Sequence, residues 1–303
     1  MDAMKLALAA ALLAACAAPP EAPAPVVAKT SAKILEDSPA SDWRRLDPEN
    51  TLYMDLPSGR VVIELAPLWA PQSVANIKTL VREKYFDGLA VIRVQDNFVA
   101  QWGDPTEKKS LGSAHKTIPP EFTRPITADL PFVPLPDRDI YAPQTGYSGG
   151  FPAARDPANN RAWLVHCYAS VGVGRDNAED SGNGAELYTV IGNAPRLLDR
   201  NITVAGRIVK GIDLLSSLPR GTGGGLGMYE KPEMHVPIKS VRLMSDVPEA
   251  DRVPIELLRT DSETFRALVE SRRYRKDEWY KVPAGAIDVC ANSLPTRVPK
   301  ALP

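Results

Sequence analysis

The stretch VIRVQDNFVAQWGDP, residues 91–105, decides the fold. Val91, Ile92 and Val94 form one β-rich run, and Phe98, Val99 and Trp102 belong to a second. They predict two short strands, at about 89–94 and 97–102. Arg93 and Gln101 sit inside those runs. A permanent cation and an amide have a place in a sheet only on a face turned to water. The fold must therefore offer an outer wall as well as an apolar interior.

The neighbouring segments supply that wall. TLYMDL (51–56) and RVVIEL (60–65) flank PSG, a hairpin signal. APQSVANIKTLVREKYFDG (70–88) predicts a helix: Pro71 suits a first turn, and Val74, Ile77, Leu80 and Val81 share one face. Further strands are expected in AWLVHCYASVGVG (162–174), ELYTVIG (186–192), NITVAGRIV (201–209) and VPIKSVRLM (236–244). KGIDLLSSL (210–218) fits a short helix. Residues 105–162 are Pro-heavy and are expected to form a long surface loop, because proline cannot donate to a central ladder. Many short strands with two core helices favour a mainly β, closed antiparallel barrel. Inward side chains fill a small barrel, so any site lies on its outer wall, with Arg93 and Gln101.

The chain has 303 residues, 44% of them hydrophobic, enough for one large core or two modest ones. Lys+Arg 36 against Asp+Glu 37 argues against nucleic acid as a partner. The N-terminus carries Lys5, an apolar run from Leu6 to Ala15, then Cys16. That run is too short for a permanent span, which needs about 20 residues, and fits a secretory signal over residues 1–16. LAAC at 13–16 resembles the lipobox of bacterial lipoproteins, which implies lipidation at Cys16; an ordinary signal peptide is the alternative. Residues 17–48, rich in Ala, Pro and Ser, are expected to be a flexible tether. Export leaves Cys167 and Cys290 as either a disulfide or two unrelated thiols. Residues 246–303 read as a C-terminal extension. In it Thr260 and Glu263 have capping-box spacing, and Phe265, Leu268 and Val269 make one apolar helix side.

Residues 49–245 resemble a cyclophilin, a peptidyl-prolyl cis-trans isomerase. VVIELAPLWAPQSVANI, YFDGLAVIRV, NFVAQWGDP, GNGAELYTVIG and LDRNITVAGRIVKGIDLL occur in family order. Four residues separate Arg93 from Phe98 and two separate Phe98 from Gln101, as in that family. The resemblance implies a cyclophilin-like eight-stranded barrel capped by two helices, and an isomerase needing neither cofactor nor metal. It implies catalytic roles for Arg93, Phe98 and Gln101. It implies substrate contacts at Val99, Val171, Gly172, Glu186, Tyr188, Leu197 and Ile202, with the backbone of Val171 and Gly172 presented as an edge. The expected partners are Pro-containing segments of unfolded or loosely folded exported proteins. The chain is expected to be a monomer, lipid-anchored on the periplasmic side of the bacterial envelope. The outer membrane is weakly favoured, since Ala17 rather than Asp follows Cys16. A non-catalytic module that binds Pro-containing segments is the alternative.

Departures from the family pattern fall at the groove. Glu186 replaces a neutral amide, Leu197 a common Trp, Ile202 a common His, Val99 a Met and Trp102 a Gly. Trp102 either covers the groove or packs. Glu186 either recognises basic peptide or pairs with Arg93. RGTGGGLG (220–227) reads as a flexible loop, and His115, His166 and His235 lack metal spacing. RRYRK (272–276) reads as a solvated helix face or a contact with anionic lipid.

Overall fold

A computed structural model describes residues 29–299; Cys16, the signal and the first part of the tether lie outside the described residues. In chain order the elements are α1 (Ser31–Glu36), β1 (Trp43–Arg45), β2 (Thr51–Leu56), β3 (Gly59–Leu65), α2 (Pro71–Arg82), β4 (Ala90–Val94) and β5 (Val99–Gly103). Next come β6 (Val133–Pro134), β7 (Gln144–Ser148), β8 (Phe151–Asp156), β9 (Arg161–Leu164), β10 (Ser170–Val173), β11 (Leu187–Val190) and β12 (Val204–Lys210). The rest are α3 (Asp213–Ser216), β13 (Val236–Pro237), β14 (Ser240–Leu243), β15 (Glu256–Leu258), α4 (Glu263–Arg273) and β16 (Thr296–Arg297).

The main sheet is antiparallel, with strand order β13-β4-β5-β11-β10-β12-β3-β2-β14. This corrects the expected closed eight-stranded barrel: the sheet is a curled nine-stranded half-barrel, and among the described residues α1 joins the two core helices and the extension helix that were expected. The reason lies just after β13, where the chain changes partner. Past it, Ile238 still bonds Leu89 (N to O, 2.7 Å), but the Lys239 N–H donates to the Asp55 carbonyl at 2.8 Å. One bent segment thus supplies both end strands of the sheet.

Alternation sets the interior. Leu52, Met54, Val61, Ile63, Ala100, Trp102, Val171 and Leu243 fill it, and α2 packs Val74, Ile77, Leu80 and Val81 against them. Trp102 therefore packs inside and does not cover the groove. α2 begins at Pro71, and its N-cap Ala70 has no side chain to cap with. Glu121 takes that role: its carboxylate accepts from the Gln72 N–H at 2.9 Å and the Ser73 N–H at 2.8 Å.

The 105–162 segment, expected to be a loop, holds most of a four-stranded antiparallel sheet, β6-β7-β8-β9. Its hairpin turns at Gly149 and Gly150, which both have positive φ (58° and 91°), as a two-residue turn requires. Pro134 lies on the edge strand β6, where a missing N–H costs little.

Residues 29–48, expected to belong to the tether, carry α1 and β1. β1 pairs with β15, and α1 packs on α4 with Ser31 Oγ 3.0 Å from Ser271 Oγ. α4 is capped by Ser262, which accepts from the Phe265 N–H at 3.1 Å; Thr260 is not the cap. Trp43, Leu135, Tyr147, Trp163, Leu258, Phe265, Leu268 and Val289 form a second core. It joins the N-terminal segment, the 133–164 sheet and the extension. Cys167 and Cys290 are bonded beside it, with Cα atoms 4.9 Å apart.

Candidate functional site

Arg93 on β4 stands opposite Gln101 on β5, and the pairing shifts register between Val91 and Arg93. With Ala100 and Trp102 inside, Gln101 faces out, and Arg93 with it. The Arg93 guanidinium is held on three sides. Nη1 donates to Gln101 Oε1 at 2.8 Å, Nη2 to Gln95 Oε1, and Nε to the Leu226 carbonyl at 2.6 Å. Its carbon lies 5.7 Å from the centre of the Phe98 ring, which is half-buried. Burial pulls the Arg93 pKa below its ordinary value, against the Glu186 charge, and arginine's high starting value leaves it a cation.

Leu226 comes from the glycine-rich run read as a free loop. Val94 N–H donates to the Gly227 carbonyl at 2.8 Å. Gly227 has φ +74°, and a Cβ there would stand 2.6 Å from the Gln95 Cα. Glycine lets this loop lie flat on β4 and bring its carbonyl to Arg93. Sequence reasoning missed Leu226 and Gln95 as Arg93 partners; the glycine density was the one available signal.

Gln101 is fixed at both ends, since its Nε2 donates to the Glu186 carboxylate. Glu186 thus reaches Arg93 through Gln101. Burial pushes the Glu186 carboxyl above its ordinary value, and the Gln101 bond and Arg93 charge act against that. Glu186 also borders a polar cavity of about 530 Å³ lined in part by Asp104, Lys109, Arg175 and Asn183.

Tyr188 on β11 stands opposite Gln101 on one side and Gly172 on the other. It shares the outer face with Gln101 but is buried there, so it is no open wall. Its hydroxyl is 2.9 Å from His166 Nε2, and His166 Nδ1 is 2.9 Å from Asp199. With Asp199 ionised, Nδ1 carries the proton and Nε2 accepts from the phenol. Arg196 Nε donates to Asp199 at 2.7 Å, and its other nitrogens donate to Asp139 at 2.8 and 3.0 Å. Burial pushes the Asp199 carboxyl up, but the hydrogen bonds from His166 and Arg196 outweigh it and hold it below its ordinary value. Sequence reading saw His166 only as a scattered histidine.

One expectation is corrected here. Val171 points into the interior, and β10 lies between β11 and β12, so Val171 and Gly172 present no open edge. Leu197 and Ile202 lie on the segment after β11, Leu197 exposed and Ile202 half-buried. That segment meets the Phe98 turn through Ile191 N to Phe98 O at 2.9 Å, and Asn193 N to Asn97 Oδ1 at 2.7 Å. Val99 is buried. The structure therefore gathers Arg93, Phe98, Gln101 and Glu186, with Tyr188 buried beside Gln101 on the same face.

Residues 51–243 match the family model described as cyclophilin type peptidyl-prolyl cis-trans isomerase/CLD. The chain belongs to the cyclophilin-type peptidyl-prolyl cis-trans isomerases. This cyclophilin is 27% identical over 198 residues to a Brucella suis protein named as a peptidyl-prolyl cis-trans isomerase, covering 62% of this chain and 80% of that one. It is 25% identical over 183 residues to a protein of Synechocystis named as a thylakoid lumen peptidyl-prolyl cis-trans isomerase, covering 56% of this chain and 44% of that one. Among solved structures it resembles the cyclophilin AquaCyp293 from Hirschia baltica, with TM-score 0.68 and 28% identity. That likeness covers 89% of this cyclophilin and 97% of the other chain, so it takes in segments outside residues 51–243.

Proposed function

We propose that Arg93 is the group through which this cyclophilin isomerises X-Pro bonds. Rotation about the amide removes resonance, against a barrier of about 18–20 kcal/mol. No covalent bond is made or broken, so the site needs no nucleophile. In the twisted state the imide nitrogen is pyramidal and basic, and a guanidinium beside it stabilises that state over the planar one. Phe98 offers an apolar floor for the proline ring, and Gln101 orients Arg93. One observation carries this reading. The guanidinium is fixed by Gln101, Gln95 and the Leu226 carbonyl above Phe98, which leaves other N–H groups for a substrate. A planar fork held this way needs no reorganisation as the peptide turns.

We further infer that the chain is exported and lipid-anchored at Cys16 on the periplasmic side of the envelope, with the outer membrane favoured. The signal-like N-terminus supports this, as does the name of the Synechocystis relative, a lumenal protein. Among the described residues no helix is long and apolar enough to cross a membrane. The clients are Pro-containing segments of exported chains, whose uncatalysed isomerisation takes tens to hundreds of seconds. The protein works as a monomer.

The test is an NMR exchange assay on an X-Pro peptide with wild type and Arg93→Ala. The variant is expected to lose at least about 2 kcal/mol of transition-state stabilisation while still binding peptide. Equal turnover by both chains would remove Arg93 from the mechanism.

A further inference from the structure

The N-terminal segment and the extension meet at one end of α4. Ser31, near the start of the described chain, contacts Ser271 in the last turn of that helix. From the same turn projects a loop, residues 274–284, closed at its base by the Gly285 N–H donating to the Arg273 carbonyl at 2.9 Å. Every residue from Tyr274 to Val282 is exposed. The run carries Tyr274, Trp279, Tyr280 and Val282, with Trp279 and Val282 each 83% exposed. Arg275, Lys276 and Lys281 lie among them.

This loop is built. The Asp277 carboxylate accepts from the N–H groups of Trp279 at 2.8 Å and Tyr280 at 2.7 Å. The Asp277 N–H donates to the Tyr280 carbonyl at 3.0 Å, and the Arg275 guanidinium lies 4.0 Å from the Tyr280 ring centre. The backbone bond from Tyr280, then Arg275, lowers the Asp277 pKa to about 2. The turn therefore holds a tryptophan and a valine in solvent, with cations beside them.

Trp and Tyr prefer the bilayer interface, and neighbouring Lys and Arg are drawn to anionic headgroups. We propose that residues 274–282 dock on the anionic surface of the lipid bilayer, as a second contact beside the anchored N-terminus. This rests on the reading of Cys16 as a lipid anchor. Fifteen residues lead from Cys16 to Ser31, each spanning at most about 3.6 Å, so the end of α4 stays within roughly 54 Å of the anchor. At such effective concentration a weak contact is occupied. Asp277 and Glu278 offset part of the charge, so Trp279 and Val282 carry the insertion and the cations select the headgroup.

Trp43, Trp69, Trp102 and Trp163 are buried, so Trp279 alone among the tryptophans reports on solvent. The full chain, purified from membranes, is reconstituted into phosphatidylethanolamine–phosphatidylglycerol vesicles with brominated acyl chains. Bromine should quench the acrylamide-accessible emission, Trp279→Phe should abolish that component, and Lys276→Glu with Lys281→Glu should reduce the quenching several-fold. A chain that co-floats with vesicles while Trp279 stays open to acrylamide and unquenched overturns the contact and leaves the anchor standing. A Cys16→Ser chain that co-floats as well as wild type, with Trp279 quenched, overturns the anchor and supports the contact. Failure of the full chain to co-float, with no quenching, overturns both.

Discussion

The Tyr188 hydroxyl lies 2.3 Å from where a Cβ at position 172 would stand, so Gly172 and Tyr188 are a matched pair on adjacent strands. Glycine leaves room for a phenol that reaches through to His166. Gly172→Ala should overpack this layer and cost about 1–3 kcal/mol. Tyr188→Phe should cost about as much, by leaving a buried imidazole nitrogen without its donor. Urea unfolding measures both. Wild-type stability in Gly172→Ala would mean that the ring moves aside freely.

Asp199 sits between two cationic or donor side chains with almost no solvent. Asp199→Asn is expected to destabilise the protein at pH 7 by about 3–5 kcal/mol, as breaking a buried pair does. The pH dependence has a definite sign. The folded-state pKa lies below the ordinary 3.8, so the stabilisation is present above pH 3.8 and is lost as pH falls through the lower folded value. Denaturant titrations at pH 7, 5 and 3 should find the gap between wild type and variant unchanged at pH 5. A gap already closed at pH 5 would contradict this.

Glu186 has the opposite sign. Burial raises its folded-state pKa above 4.5, with Glu107 and Asp176 adding to the effect and Gln101 and Arg93 opposing it. Its contribution is therefore fully present below pH 4.5 and declines as pH rises through the folded value. Glu186→Gln keeps an acceptor for Gln101 and removes the buried charge. The variant should be more stable than wild type at pH 8 and equal to it near pH 4. Thermal melts across that range decide the matter, and a variant less stable at pH 8 would show that the charge itself holds Gln101 and Arg93 in place.

The Cys167–Cys290 bond closes a loop of sequence separation 123. Cys290→Ser should lower stability by about 2–5 kcal/mol, chiefly by freeing the unfolded chain. Melts with and without reductant should show wild type falling to the level of the variant under reduction. Identical melts would mean that the second core holds the extension without the bond.

Some of this protein is legible residue by residue. The 3.6-residue period of Val74, Ile77, Leu80 and Val81 fixes α2, and alternation through 90–103 puts Trp102 on one face and Gln101 on the other. Both patterns depend on residues a few positions apart, so a sequence displays them directly. The spacing of Arg93, Phe98 and Gln101 is local for the same reason.

Tertiary structure decided the rest. Alternation says which side chains face together, but not which strand lies alongside. Nothing local to β10 shows that it sits between β11 and β12, or that β13 and β14 end opposite sides of one sheet. The loop that grips Arg93 comes from 133 residues away. The second core is assembled from Trp43, Trp163 and Phe265, each in a stretch too short of apolar residues to bury itself. Such contacts depend on chain closure over long separations, and no single stretch of sequence carries them.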